Sequence, residues 1–246
     1  MTRVRTTGGR PDGPLVVYGA NPVLELLRSG DPIERLCLGR GPREAELTAA
    51  ARARDVRVEG ADRATLDRLA ATPHHQGAVA ITPPFAYAAL ERLLATDCAS
   101  ALVLDGVQDP RNLGAILRSA RALGVRGVVL PRDRSAAVTP VVVAAASGLL
   151  FGLPIARVPN LVRAMEALKA AGFWLVGLSP RGGMPLDRFE APSRPALIAG
   201  GEGEGLRPLV QRGCDFTVSI PMTPGVESLN VGVAVAIALY ALRLRS

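Results

Sequence analysis

Apolar residues fall into two patterns along this chain. Short unbroken apolar runs alternate with longer stretches whose apolar positions recur three and four residues apart. Unbroken runs suit strands buried on both faces, and the second spacing suits amphipathic helices. The runs predict strands over 33–38, 56–58 and 77–81, and then over 101–104, 127–130, 155–158, 173–178, 196–199 and 216–220. The helical spacing predicts helices over 21–27, 43–54, 62–69, 112–123, 140–146, 161–171 and 229–244, with a short one after Gly205. Asn21, with Pro22 behind it, is expected to cap the first helix. Asp62, Asn112 and Ser228 are placed to cap three later ones.

Punctuation divides the pattern. Residues 1–14 are basic, Gly-rich and polar, and read as a loose tail rather than a signal peptide. A small α/β unit follows over 15–82. Pro83-Pro84 breaks it, 83–97 reads as a linker, and a larger α/β unit fills 98–246. Alternating strands and helices predict a mainly parallel sheet in each unit. In such doubly wound sheets, sites lie at the carboxyl ends of strands.

Composition narrows the chemistry. Apolar residues make up 48% and charged residues 21%, which supports folded domains. The formal charge is +7, and Lys169 is the only lysine, so arginine carries it. Arginine's planar fork suits phosphate, but a GC-rich genome explains the bias equally well. Cys37, Cys98 and Cys214 are far apart and odd in number, which argues for a reducing, cytosolic setting without disulfides or structural zinc. His74 and His75 are the only histidines, so no metal site is expected. No apolar stretch reaches the roughly 18–20 residues that span a bilayer.

Three strand-end segments carry candidate chemistry. Asp105 through Arg118 follows a strand and opens a helix; as a plain reading, Asn112 caps, Gly114 packs and Arg118 points to water. Gly200-Gly201-Glu202-Gly203-Glu204-Gly205 lets backbone approach a ligand. It lacks the phosphate-loop and dinucleotide signatures, and its carboxylates would repel phosphate. Ile220-Pro221-Met222 leads through Ser228 and Asn230 into an apolar helix whose faces must be covered nearly all round. Asp105, Asp109, Glu202 and Glu204 are capable of holding magnesium, but nothing in their spacing demands it. No nucleophile elbow is present.

Taken in order, Asn112-x-Gly114-x-x-x-Arg118, Gly200-x-Glu202-x-x-Gly205, and Ile220-Pro221-Met222 with Ser228-Leu229-Asn230-Val231 resemble the three signature motifs of the SpoU (TrmH) group of RNA methyltransferases. Val17-Tyr18-Gly19 and His75-Gln76-Gly77 resemble the RNA-binding N-terminal domain of the ribosomal RlmB-like subgroup. The sequence departs from the motifs at Pro224, Glu227 and Gly232.

The resemblance implies a C-terminal trefoil-knotted, parallel-sheet methyltransferase domain behind a small α/β RNA-binding domain. It implies S-adenosylmethionine as cofactor, held near Leu178, Gly200, Ile220, Met222 and Leu229. It implies a homodimer through the last helix. Arg118 resembles the catalytic arginine, Glu202 would orient it, and Asn112, Ser228 and Asn230 would bond ribose, donor or loops. The implied reaction is 2′-O-methylation of RNA, at a guanosine of 23S rRNA. DNA lacks the hydroxyl that would be methylated. Methylation of tRNA, or of an rRNA adenosine in the manner of resistance enzymes, is an alternative, and so is a non-catalytic ribosome-assembly factor. The last of these predicts loss of Arg118 or Asn230, and both are present. An oxidoreductase would need a glycine fingerprint that 105–112 lacks.

Overall fold

The computed structural model describes residues 13–95, 97–180, 182–201 and 205–243. Most of the expected tail and Glu202 therefore lie outside the described residues. The chain forms two compact units, one of residues 13–86 with 137–152 and the other of 87–136 with 153–243. The units are not contiguous in sequence, because 137–152 groups with the first.

The first unit runs β1 (Leu15–Tyr18), α1 (Ala20–Ser29), β2 (Arg35–Leu38), α2 (Glu44–Ala53), β3 (Val58–Gly60), α3 (Arg63–Ala70) and β4 (Ala78–Thr82). Its sheet has the order β1-β4-β2-β3. β4 is antiparallel to both β1 and β2, and only β2 and β3 pair in parallel. The expectation of a mainly parallel sheet is thus wrong here. Alternation with helices fixes the layers, but β4 enters through a tight turn, with Gln76 and Gly77 at φ 52 and 80, and so runs the other way.

Asn21 does not cap α1. Gly19, at φ 98, takes that position, and Pro22 sits inside the first turn, where backbone N–H groups lack helical acceptors anyway. Asp62 does cap α3, its side chain accepting from the Thr65 N–H at 2.9 Å.

The second unit begins with α4 (Glu91–Leu94), β5 (Ala101–Asp105), α5 (Pro110–Ala122) and β6 (Gly127–Pro131). α6 (Pro140–Ala145) belongs to the first unit. Then follow β7 (Ile155–Val158), α7 (Leu161–Ala170), β8 (Trp174–Leu178), β9 (Met184–Pro185), β10 (Pro195–Gly200), α8 (Pro208–Arg212), β11 (Phe216–Ser219) and α9 (Val231–Arg243). The order is β7-β6-β5-β10-β8-β11-β9, with every pairing parallel. β5, β6 and β10 are buried along their whole length, as their apolar runs require, with the buried Asp105 at the end of β5.

Two caps differ from expectation. Asp109 caps α5, accepting from the Arg111 N–H at 2.8 Å, with Pro110 in the first turn. Asn112 is therefore one turn inside, and its side chain is available for another contact. α9 begins at Val231, and Asn230 rather than Ser228 caps it: its Oδ1 accepts from the N–H groups of Gly232 (2.9 Å) and Val233 (3.3 Å). No helix among the described residues is long and apolar enough to cross a membrane.

Candidate active site

The parallel sheet delivers the ends of β8, β10 and β11 to one side, where they wall a cavity of about 310 Å³. Leu178 comes from β8, with Ser179 and Pro180 behind it. Ala199 and Gly200 end β10, and Gly201 and Gly205 continue the floor. Ile220 and Met222 follow β11. Ser228, Leu229, Asn230, Val231 and Ala234 close it from the start of α9.

The floor has to be glycine. A Cβ on Gly200 would collide with the Gly205 carbonyl, and one on Gly201 with the Gly106 carbonyl. Backbone thus packs on backbone, and Gly201 and Gly205 form an isolated bridge. Gly205 itself holds φ 69, a left-handed conformation that costs glycine little.

Asp105 organises this floor. Its carbonyl accepts from the Gly201 N–H at 2.9 Å. Its carboxylate, fully buried, takes the Arg207 N–H at 2.9 Å and the Arg207 guanidinium at 2.6 Å. One residue therefore grips both ends of the Gly-rich segment. Sequence patterns had offered Asp105 and Asp109 as possible magnesium ligands. In the fold Asp105 is given to Arg207 and Asp109 to a helix cap, and no group of three or more metal-ligating side chains gathers among the described residues. Arg207 was missed because nothing local marks an arginine whose partner is 102 residues away.

The candidate residues divide into three groups. Leu178, Gly200, Ile220, Met222 and Leu229 all line the one cavity, together with Ser228 and Asn230. Asn112 joins them indirectly, because its Oδ1 accepts from Asn230 Nδ2 at 3.1 Å. Arg118 lies further along α5 on an exposed position, outside the lining. Glu202 lies outside the described residues. Ser179, Pro180, Ala199, Gly201, Gly205, Val231 and Ala234 also line the cavity and were not singled out, since small and apolar residues carry no chemical signature. Behind β8, the Cys214 thiol presses on Gly177, and burial pushes it up to about 11.

The SpoU rRNA Methylase family model matches residues 99–240, which include the whole of this cavity. The chain belongs to the SpoU family. A second model, RNA 2′-O ribose methyltransferase substrate binding, matches residues 16–88. Relatives named as uncharacterized tRNA/rRNA methyltransferases accompany it. One from Mycolicibacterium gilvum is 41% identical over 239 residues, covering 94% of this chain and 76% of its own. One from Mycobacterium tuberculosis H37Rv is 41% identical over 238 residues, covering 94% and 74%.

Solved SpoU structures share the fold. AviRb from Streptomyces viridochromogenes, crystallised in complex with AdoMet, superposes with a TM-score of 0.79 at 29% identity, covering 94% of this chain and 90% of that one. The AdoMet-bound rRNA methyltransferase of Sinorhizobium meliloti gives 0.80 at 26%, covering 94% and 87%. The SpoU member described here is therefore an RNA methyltransferase with an α/β, parallel-sheet methyltransferase unit and a small N-terminal domain.

Proposed function

We propose that this SpoU enzyme transfers a methyl group from S-adenosylmethionine to a ribose 2′-hydroxyl of RNA, at a guanosine of 23S rRNA. The observation that carries the reading is the convergence of Leu178, Gly200, Ile220, Met222, Leu229, Ser228 and Asn230 on one strand-end cavity. The cavity fits the donor. Its walls are largely apolar, its floor is bare backbone that a single Cβ would fill, and its polar side chains are Ser179, Ser228 and Asn230.

When bound, the donor supplies a methyl on an electrophilic sulfonium. The chain's task is then to position the ribose and remove one proton. Asn230 is held by its two backbone donors and by Asn112, so it presents a fixed polar edge to the cavity. Ser228 adds a hydroxyl beside it. Arg118 grips the phosphate of the target nucleotide and stabilises the developing alkoxide. A guanidinium, whose pKa lies above about 12, is a poor base, so the proton leaves through the phosphate or water. Glu202 orients Arg118.

Three further features belong to this reading. The strand-end segments thread one another as a trefoil knot, in keeping with the backbone packing of Gly200 on Gly205 and Gly201 on Gly106. The enzyme works as a homodimer through α9, whose Val233, Ile237 and Tyr240 stand exposed at helical spacing on one face. Its setting is the cytosol, with three free thiols among the described residues.

The test is incubation with labelled S-adenosylmethionine and unmodified ribosomal RNA, followed by mapping of the label. Label on the 2′-oxygen of one guanosine of 23S rRNA is expected. Label on tRNA or on an adenosine would move the substrate, and no transfer at all would favour the assembly-factor alternative.

A further inference from the structure

The first unit contains a cavity of its own, of about 570 Å³, between the turn after β2 and the turn before β4. We propose that it seats one phosphodiester of the substrate RNA between Arg40 and Arg63. The proposal rests on the RNA methyltransferase reading and adds where the polyanion is gripped.

Glycines build the cavity. A Cβ on Gly41 would strike the Gln76 carbonyl, and one on Gly77 would stand 2.7 Å from the Arg40 carbonyl. The two turns thus touch through bare backbone. Gln76 pays for this with φ 52, unusual for a side chain of its size, and its Oε1 accepts from the Ala20 N–H at 3.2 Å. Strained, over-determined turns of this kind concentrate at ligand clamps.

At the base lies His75, 5% exposed. Its Nδ1 accepts from the Gly77 N–H at 3.0 Å, so the proton sits on Nε2, 3.1 Å from Asp67. The imidazole is fully used in holding the turn, which leaves ligand recognition to the rim.

The rim is cationic. Four other arginines of this unit are committed: Arg28 to Glu25 and Glu46, Arg35 to Glu59, Arg43 to Glu46, and Arg54 to three backbone carbonyls, while Arg52, Arg57 and Arg68 lie outside the cavity lining. Arg40 makes no ion pair or hydrogen bond among the described residues, and Arg63 has only Asp67 at 3.9 Å. Both line the cavity. Asp62 lines it too; its carboxylate accepts from the Thr65 N–H, which lowers its pKa and keeps it ionised, so two arginines on the lining outnumber one negative charge. An unpaired Arg40 and an Arg63 held only loosely by Asp67, over a glycine floor, match a phosphate's need for charge-assisted donors and close backbone approach.

The experiment measures binding of the full chain to unmodified large-subunit rRNA across salt. A double variant, Arg40→Ala with Arg63→Ala, is compared with Arg52→Ala with Arg68→Ala, two exposed arginines of the same unit outside the cavity lining. Loss of one phosphate contact should lower affinity about tenfold and flatten the log K against log salt slope by about one. The control pair should keep both, and both variants should keep wild-type affinity for S-adenosylmethionine. Unchanged RNA affinity and slope in the first variant, or an equal loss in the control, overturns the inference and leaves the enzyme reading intact. Failure of the wild type to bind RNA overturns both.

Discussion

The two cavities of this molecule share a floor and differ in their walls. Each is floored by glycines that allow backbone to touch backbone, around Gly200 in the methyltransferase unit and around Gly41 and Gly77 in the N-terminal one. The first is walled by Leu178, Ile220, Met222 and Leu229 and carries no charged side chain among the described residues. The second is rimmed by Arg40 and Arg63. Neutral walls recognise a small molecule by shape and by dehydrating it, which tolerates salt. Cationic rims recognise a polymer by charge, which salt screens. The same backbone device therefore serves two kinds of recognition, and the side chains around it decide which.

That contrast can be broken in several places. Arg118 lines neither cavity, so Arg118→Ala should cut methyl transfer about a thousandfold while calorimetry finds donor affinity unchanged. A parallel loss of donor affinity would put the arginine in the neutral site. Gly200→Ala should weaken the donor about ten- to a hundredfold by overpacking the floor, with RNA affinity in filter binding left near wild type. Asp105→Asn keeps an acceptor for Arg207 but removes its charge. It should raise the donor KM about tenfold, with a smaller change in kcat, because the buried Asp105 and its arginine shape the floor without touching the reaction.

Asn230→Ala removes a cap and should cost about 1 kcal/mol in denaturant unfolding. Asn230→Ser should recover that stability without recovering transfer, since the contact with Asn112 stays lost. The smallest effect concerns Cys214, whose pKa is raised from 9.0 to about 11 by burial. The fold holds the neutral thiol, so this contribution is full below about pH 9 and is lost as pH climbs towards 11. The unfolding midpoint should slide down over that window, and Cys214→Ala should shrink the slide.

Much of the methyltransferase unit was legible because its strands are buried on both faces. Residues 101–104 and Pro195–Gly200 carry no polar side chain, and only a central parallel strand needs that. The smaller sheet was misread because the direction of β4 depends on one turn at Gln76-Gly77, which no periodicity records. Caps were misplaced by a few residues for a similar reason. Asn21, Asn112 and Ser228 each have capping chemistry, but Gly19, Asp109 and Asn230 stand where the chain actually turns. The motifs led to residues lining the strand-end cavity. They were silent on Arg207, and on Arg40 and Arg63, which only the fold brings to one cavity.

The double grip of Asp105 has a consequence for how this enzyme can change. Gly201 and Arg207 hang from one residue, the first by its backbone N–H on the Asp105 carbonyl and the second by its N–H and guanidinium on the carboxylate. A substitution of the aspartate releases both points at once, so its effect and that of changing Arg207 should be coupled rather than additive. Evolution, or an engineer, can therefore exchange Asp105 and Arg207 only together, as a lock with its key.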